Sequence, residues 1–290
     1  MNKLSECPVC LHATYIPFMD VVDHMITKEQ FSIVSCEQCG FHFTNPIPTK
    51  EIIGAYYKGD EYVSHSSSSK GLINRLYGIV RKRTLQLKVS WVKRHASGLE
   101  LLDVGCGTGH FLNAAKASGY SITGIEPDQD ARAFALKENN IDALGQEVLY
   151  ELREQSFDII TMWHVLEHVY DLRKDVEQLT KLLKPGGTIF IAVPNMGSYD
   201  AQYYKSLWAA YDVPRHLYHF QEKDIRSLLN DFDFDVVEVL PMKYDAFYVS
   251  MLSEKYKKGS LINALKIGLK SNRLAKKFGY SSQVYVLKGK

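Results

Sequence analysis

The sequence predicts a mostly parallel, doubly wound α/β sheet over residues 98–290, with a small cysteine-bearing unit in front of it. Three observations carry this expectation. Apolar strand-like runs alternate with helix-period stretches from residue 98 onward. The first run, "LLDVGCGTGHFL" at 101–112, breaks into glycines at 105, 107 and 109, as a strand-to-helix turn does. Two C-x2-C pairs, Cys7/Cys10 and Cys36/Cys39, stand ahead of it. With 290 residues and 46% apolar content, the chain has room for one large domain and a smaller unit.

Each element has a local reason. "LELLDVG" reads as a buried strand ending in the glycine turn, and "HFLNAAKASG" as a helix closed by Gly119. "SITGIEP" is the second strand, and "DQDARAFALKEN" a helix capped near Asp128. A short third strand is expected around 141–144, and "FDIITMW" is the fourth. "LRKDVEQLTKLLKPGG" reads as a helix stopped by Pro-Gly-Gly, and "TIFIAVPN" as the fifth strand. "KDIRSLLNDF", "FDVVEVL" and "SQVYVLKG" then give a helix and two strands. Ligands of such sheets bind at the carboxyl ends of the strands. That rule gathers the glycine turn, Glu126, Trp163-His164 and Pro194-Asn195 in one place.

The cysteine pairs suit a closed structural zinc site. Two C-x2-C knuckles, at Cys7/Cys10 and Cys36/Cys39, place four thiolates at the corners of a tetrahedron, and "FSIVSC" reads as a strand entering the second. The rival reading is a thiol-exchange pair, which two pairs with a trailing Gly40 do not favour. A unit this small draws its folding energy from the metal.

The glycine turn is not a phosphate loop of either common kind. A P-loop closes on Gly-Lys-Ser/Thr, whereas Gly109 is followed by His110 and Phe111. The dinucleotide fingerprint needs a glycine five positions after the first, and His110 stands there.

Four landmarks in order, "LLDVGCGTGHFL", "GIEPD", "FDIITMWHVLEHV" and "LLKPGGTIFIAVPN", resemble a class I S-adenosylmethionine-dependent methyltransferase across about residues 98–290. The N-terminal cysteine unit resembles that of a bacterial subgroup methylating sugars and other small metabolites. The resemblance implies a seven-stranded Rossmann-like sheet, an N-terminal zinc ribbon and a helical insertion before the last strand. It implies a cofactor site lined by Asp103, Gly105, Cys106, Gly107 and Gly109, by Glu126 and Pro127, and by Met162, Trp163 and His164. The chemistry agrees, because this cofactor carries an ammonium, a carboxylate, a sulfonium and a ribose, but no phosphate. Side-chain-free glycines let it lie against the backbone. Asp103 meets the ammonium, directly or through water, and Glu126 accepts from the ribose hydroxyls.

His164-Val-Leu-Glu167-His168 also matches the H-x-x-E-H pattern of inverted zinc proteases. It follows directly on a strand, so His164 sits at the strand's edge rather than inside a long helix. For His164 a cofactor-site role and a local structural one stand about even. For His168 a locally bonded helix residue is the better reading.

Methyl transfer from a sulfonium asks mainly for alignment, plus a base where the nucleophile is a hydroxyl or an acidic C–H. The resemblance makes the loop after the fifth strand, residues 195–222, the substrate wall. It holds Asp212, Arg215, His216 and His219, and its His-Phe pair resembles sugar methyltransferases that use a histidine base. His219 is therefore the candidate base and His216 the second, although "RHLYHF" departs from the closer His-Glu-His spacing.

The expected division is a zinc-ribbon-like unit at 1–48, a helical linker or cap at 49–97 and the cofactor-binding core at 98–290, with a helical insertion at 242–280. Residues 66–69, all serine, read as a linker. In the insertion, "LINALKIGLKSNRLAKKF" is amphipathic, with Leu261, Leu265 and Leu269 on one face. Core packing is the usual fate of such a helix, and lying on an anionic membrane is the alternative. Residues 62–99 hold eight Lys/Arg and no acid, and 254–290 ten Lys/Arg against one Glu, while the whole chain is only +2. Solvated helix faces or an anionic partner explain such runs.

The main functional expectation is a cytoplasmic methyltransferase acting on O or C of a small-molecule, glycan or lipid-linked acceptor. Its cofactors are S-adenosylmethionine and a structural zinc. The first alternative is an RNA base methyltransferase. Against it, the fourth strand ends in "MWHV" and lacks Asn/Asp-Pro-Pro-Tyr, so nucleic acid is not the expected partner. The second is a non-catalytic cofactor-binding or zinc-dependent interaction protein.

Overall fold

Alternate residues of each central strand supply opposite faces of one sheet. Leu101, Ile159, Phe190 and Val284 join one apolar cluster, and Leu102, Ile160, Ile191 and Tyr285 join the other. A computed structural model describes residues 1–57 and 72–290. The serine stretch at 66–69 and part of the first basic segment lie outside the described residues.

The sheet has six strands: β4 (Glu100–Val104), β5 (Ser121–Ile125), β6 (Phe157–Trp163), β7 (Leu183–Pro194), β9 (Phe234–Pro241) and β10 (Ser282–Gly289). Their order is β5-β4-β6-β7-β10-β9. The first four run parallel, and β10 is antiparallel to both its neighbours. The strand expected near 141–144 shrinks to one bridge, Ile125 to Leu144, so among the described residues six strands stand where seven were expected. The segment is too short to continue a ladder before the 3-10 turn at Gln146–Tyr150 begins. Pro185-Gly186-Gly187 does not stop the preceding helix as the sequence suggests. That helix already ends at Leu182, and the three residues form an irregular start to β7, with Gly186 at φ 77°.

Helices cover both faces. α1 (Leu72–His95) sets Val89 and Val92 against the first cluster. α2 (His110–Lys116) follows the glycine turn, and α3 (Gln129–Asn139) starts where the Asp128 carboxylate accepts from Ala131 N at 2.7 Å. α4 (Leu172–Leu182) and α6 (Glu222–Asn230) pack on the opposite face, with Val176, Leu179, Ile225 and Leu228 buried. The loop between β7 and α6 holds a short helix, α5 (Tyr199–Tyr204). Buried Asp200 in it accepts from Trp208 Nε1 at 2.8 Å and from Ser271 and Ser281 Oγ, both at 2.6 Å. That carboxylate ties the loop to the insertion and to the approach to β10.

The N-terminal unit is a hairpin of β1 (Tyr15–Val22) and β2 (Gln30–Cys36) extended by β3 (His42–Thr44). A fourth strand, β8 (Tyr218–His219), comes from the loop after β7 and pairs with β3. The ribbon is therefore sewn into the larger unit, and Cys7, Phe41 and Phe43 share a core with Leu217 and Phe220.

The insertion is a pair of helices, α7 (Asp245–Lys257) and α8 (Leu261–Phe278). Gly268 allows their close approach, because a Cβ there would lie 2.7 Å from Phe247 Cδ1. α8 buries Ala264, Ile267, Gly268, Ser271 and Ala275. Core packing thus uses the small residues, and Leu261, Leu265 and Leu269 face outward, the reverse of the usual fate of such a stripe.

Candidate active site

The turn after β4 is fixed by the amides of Gly105 and Cys106, which donate to Ile125 O at 2.7 and 2.9 Å. Its glycines serve different ends. A Cβ on Gly105 would collide with Val165, and one on Gly109 would press on Ala135 and Ile141 at 3.2 Å. Of the three, Gly107, φ 54°, is the one where a side chain would meet none of the described residues within 4 Å. The cradle is therefore at Gly107, and the other two glycines are packing requirements.

Around that opening lie several polar groups. Glu126 accepts from Gly107 N at 2.7 Å and Asp128 N at 2.9 Å, and burial raises its pKa. Buried Asp103 accepts one bond, from Thr161 Oγ1 at 2.6 Å, and burial pushes its carboxyl up to about 7. Lys88 of α1 lays its Nζ 4.4 Å from the centroid of Trp163. Burial lowers its pKa to about 8, against the pull of Asp103 and Asp245. The buried Trp163 Nε1 has no hydrogen-bond partner among the described residues. An under-compensated acid, an orphan donor and a cradle a Cβ would fill fit a ligand with an ammonium and ribose hydroxyls. Cys106 is buried and its thiol pushed up by burial, Met162 lies in the core, and exposed Pro127 gives its carbonyl to Arg132.

Past β6 the chain turns at His164, φ 61°. Its Nδ1 lies 3.3 Å from Glu167 Oε1, and its Nε2 lies 3.2 Å from Asp245 Oδ2. Burial alone would lower this histidine, but the two carboxylates outweigh it and raise it to about 9. The insertion thus supplies a site residue, Asp245, that sequence reasoning missed. It lies 81 positions beyond His164, and no local pattern links them.

The two candidate bases are placed differently. His219 in β8 is buried, with Nε2 3.0 Å from Thr44 Oγ1, and burial holds it well below the usual histidine range. His216 pairs its Nδ1 with Ala210 O at 2.9 Å and brings Nε2 to 4.0 Å from Glu167. His168 stands in a turn and not a helix, and its Nδ1 lies 2.9 Å from Arg215 O and 3.0 Å from Tyr57 Oη, so it is bonded across the fold rather than locally as expected. The protease pattern is not assembled as written. Glu167, His168 and His216 converge within 4.8 Å, while His164 turns toward Asp245. Asp212 and Arg215 form a structural ion pair, with Arg215 buried between Asp212 and Asp23.

The four ribbon cysteines also converge. Cys7 and Cys39 Sγ are 3.6 Å apart, and Cys10 and Cys36 Sγ 3.5 Å. Tetrahedral zinc with bonds of about 2.3 Å separates its sulfurs by about 3.8 Å, so the thiols fit the metal with little movement.

A family model described as a methyltransferase domain matches residues 76–239. The chain belongs to that family. Its fold is that of class I S-adenosylmethionine-dependent methyltransferases. The ubiquinone biosynthesis O-methyltransferase of Erwinia tasmaniensis is 38% identical over 122 residues, covering 39% of this chain and 50% of that protein. The protein of the same name from Rickettsia akari is 28% identical over 202 residues, covering 64% and 80%. The chain thus spans about half the length of the first relative and more of the second. Among solved structures, magnesium protoporphyrin IX methyltransferase from Synechocystis PCC 6803, with bound SAH, has a TM-score of 0.56 at 15% identity. That match covers 83% of this chain and all of the other, and it is a likeness of fold.

Proposed function

We propose that this methyltransferase-family protein transfers a methyl group from S-adenosylmethionine to a hydroxyl of a small, lipid-linked acceptor. The observation that carries the reading is the opening at Gly107, bordered by Asp103 and Glu126, with His164 just past the end of the adjacent strand β6. The relatives named for ubiquinone biosynthesis support an O-methyl acceptor of the lipid-linked kind. Peripheral membrane contact through the insertion at 242–280 belongs to the same reading. The division at 48 and 97 is proposed as one of roles, with the ribbon buttressing the substrate loop through β8.

When bound, S-adenosylmethionine supplies a methyl group already activated by its sulfonium. Asp103 would hold the ammonium, Glu126 the ribose hydroxyls, and Gly107 the space they need. Gly105, Cys106, Gly109 and Met162 shape that space from behind, while Pro127 and Trp163 border it. His164 is the base we favour, because Glu167 orients its Nδ1 and leaves Nε2 toward the partly exposed Asp245. His216 stands next in the same cluster, its Nε2 4.0 Å from the Glu167 oxygen that faces His164. His219, bonded to Thr44, would act only after the seam between β3 and β8 opened.

The test incubates the protein with methyl-labelled S-adenosylmethionine and cell extract, then separates lipid, small-molecule, glycan and RNA fractions. Label in the lipid or small-molecule fraction is expected. Label confined to RNA, or tight binding of NAD in place of S-adenosylmethionine, overturns the reading.

A further inference from the structure

Among the described residues the outward apolar side of α8 is left uncovered, and of its flanking cations Lys270 reaches a ring, that of Tyr199 at 4.8 Å. Leu261, Ile262, Leu265 and Leu269 are 58%, 67%, 48% and 45% exposed, although aliphatic side chains are costly to leave in water. At about 100° per residue these four fall on one side of the helix, and Lys266, Lys270, Arg273 and Lys277 continue directly from its edge. Residues 255–277 contain eight Lys/Arg and no acid. Among the described residues no carboxylate lies within 4.0 Å of Lys266, Lys270, Arg273, Lys276 or Lys277. The opposite side of the helix is already satisfied by its small residues against α7.

We infer that α8 lies on an anionic phospholipid surface, with the Leu261/Ile262/Leu265/Leu269 face in the acyl–headgroup boundary and the flanking cations on the phosphates. An apolar face on a helix whose charged residues are all basic matches that boundary and suits a neutral protein partner less well. α7, which packs against α8, carries Asp245 into the site at His164, so the docked element and the catalytic cluster are adjacent along the chain. The inference rests on the lipid-linked reading of the acceptor for its purpose, and on the helix alone for its existence.

The test is sedimentation of the full chain with phosphatidylglycerol-containing and with pure phosphatidylcholine vesicles, no acceptor present. Binding is expected only to the anionic vesicles, weakening as salt rises. Ile262→Asp with Leu265→Asp should lower it at least tenfold and leave S-adenosylmethionine binding by calorimetry unchanged. Lys266→Gln with Arg273→Gln provides a second variant that leaves the apolar face intact, and it should weaken binding and flatten the salt dependence. Equal binding to both vesicle types, or indifference to both variants, overturns the inference. So does self-association of the wild type, by analytical ultracentrifugation, that Ile262→Asp abolishes, since the face would then belong to a second copy. A protein that methylates its acceptor in solution but ignores vesicles refutes this inference without touching the proposed function.

Discussion

Asp245, in the first turn of α7, holds its Oδ2 3.2 Å from Nε2 of His164, just past the end of β6. Glu167 faces the other ring nitrogen at 3.3 Å, so the imidazole is clamped between two acids. The clamp ties the insertion to the end of the strand where the cofactor is expected, and it sets the charge of the candidate base.

The pH dependence follows from that clamp. His164 is raised to about 9, so it is charged below that pH and neutral above it. A base must be neutral, so turnover should climb as pH rises toward 9. Asp245→Asn removes one of the groups that raise it and should move the limb to lower pH. His164→Ala should lower turnover by roughly two to four powers of ten with cofactor affinity nearly unchanged. A flat pH–rate profile, or wild-type turnover in the alanine variant, would return the search to His216 and His219.

The glycine turn separates binding from packing. Gly107→Val should abolish S-adenosylmethionine binding in calorimetry at a modest cost in melting temperature, because its side chain enters open space and only the left-handed φ of 54° strains it. Gly105→Ala should do the opposite first. Its Cβ meets Val165 at a left-handed φ of 70°, and overpacking of that kind costs about 1–3 kcal/mol. Thermal melting of the two variants, read beside calorimetry, distinguishes the roles.

The ribbon should hold one zinc per chain. Cys36→Ser, or chelation, should lower the melting temperature and also loosen the substrate loop, since β8 pairs with β3 at His42–His219 and Phe43–Tyr218. Metal analysis together with limited proteolysis around 205–220 checks both halves. A metal-free, fully protected protein would refute the expectation.

What was legible in the sequence was whatever depends on neighbours along the chain. The turn at 105–109, the cap at Asp128, the cysteine knuckles and the strand periodicity all read directly. What was not legible depends on distant pairing. Nothing near His219 shows that two residues of its loop would complete the ribbon sheet, and nothing near Asp245 shows His164. α8 misled for a related reason. Its large apolar residues looked like a core face, but Gly268 and Ala264 allow an approach to α7 closer than leucines could accept.

Arg215 shows the same limit and carries the last prediction. Its loop position suggested a substrate contact, yet its guanidinium is buried, 2.9 Å from Asp23 Oδ1 and 2.6 Å from Asp212 Oδ1, with Nη1 donating to Tyr56 O at 2.7 Å. It therefore pins the turn after β1 to the loop that leads into β8. Removing one partner of a buried pair leaves the other charge uncompensated, so Arg215→Met should destabilise the fold by about 3–5 kcal/mol. Burial alone would raise Asp23, but Arg215 and the amides of Ile26 and Thr27 outweigh it and hold its pKa below the ordinary carboxylate value. The contribution of Asp23 is thus complete above the unfolded value near 3.8 and is lost as pH falls through the lower folded value. Denaturant unfolding of wild type and Arg215→Met should accordingly differ most near neutral pH, with the gap closing only below about pH 4. A gap that closes by pH 6, or an Arg215→Met protein of wild-type stability and reduced turnover, would return Arg215 to the substrate.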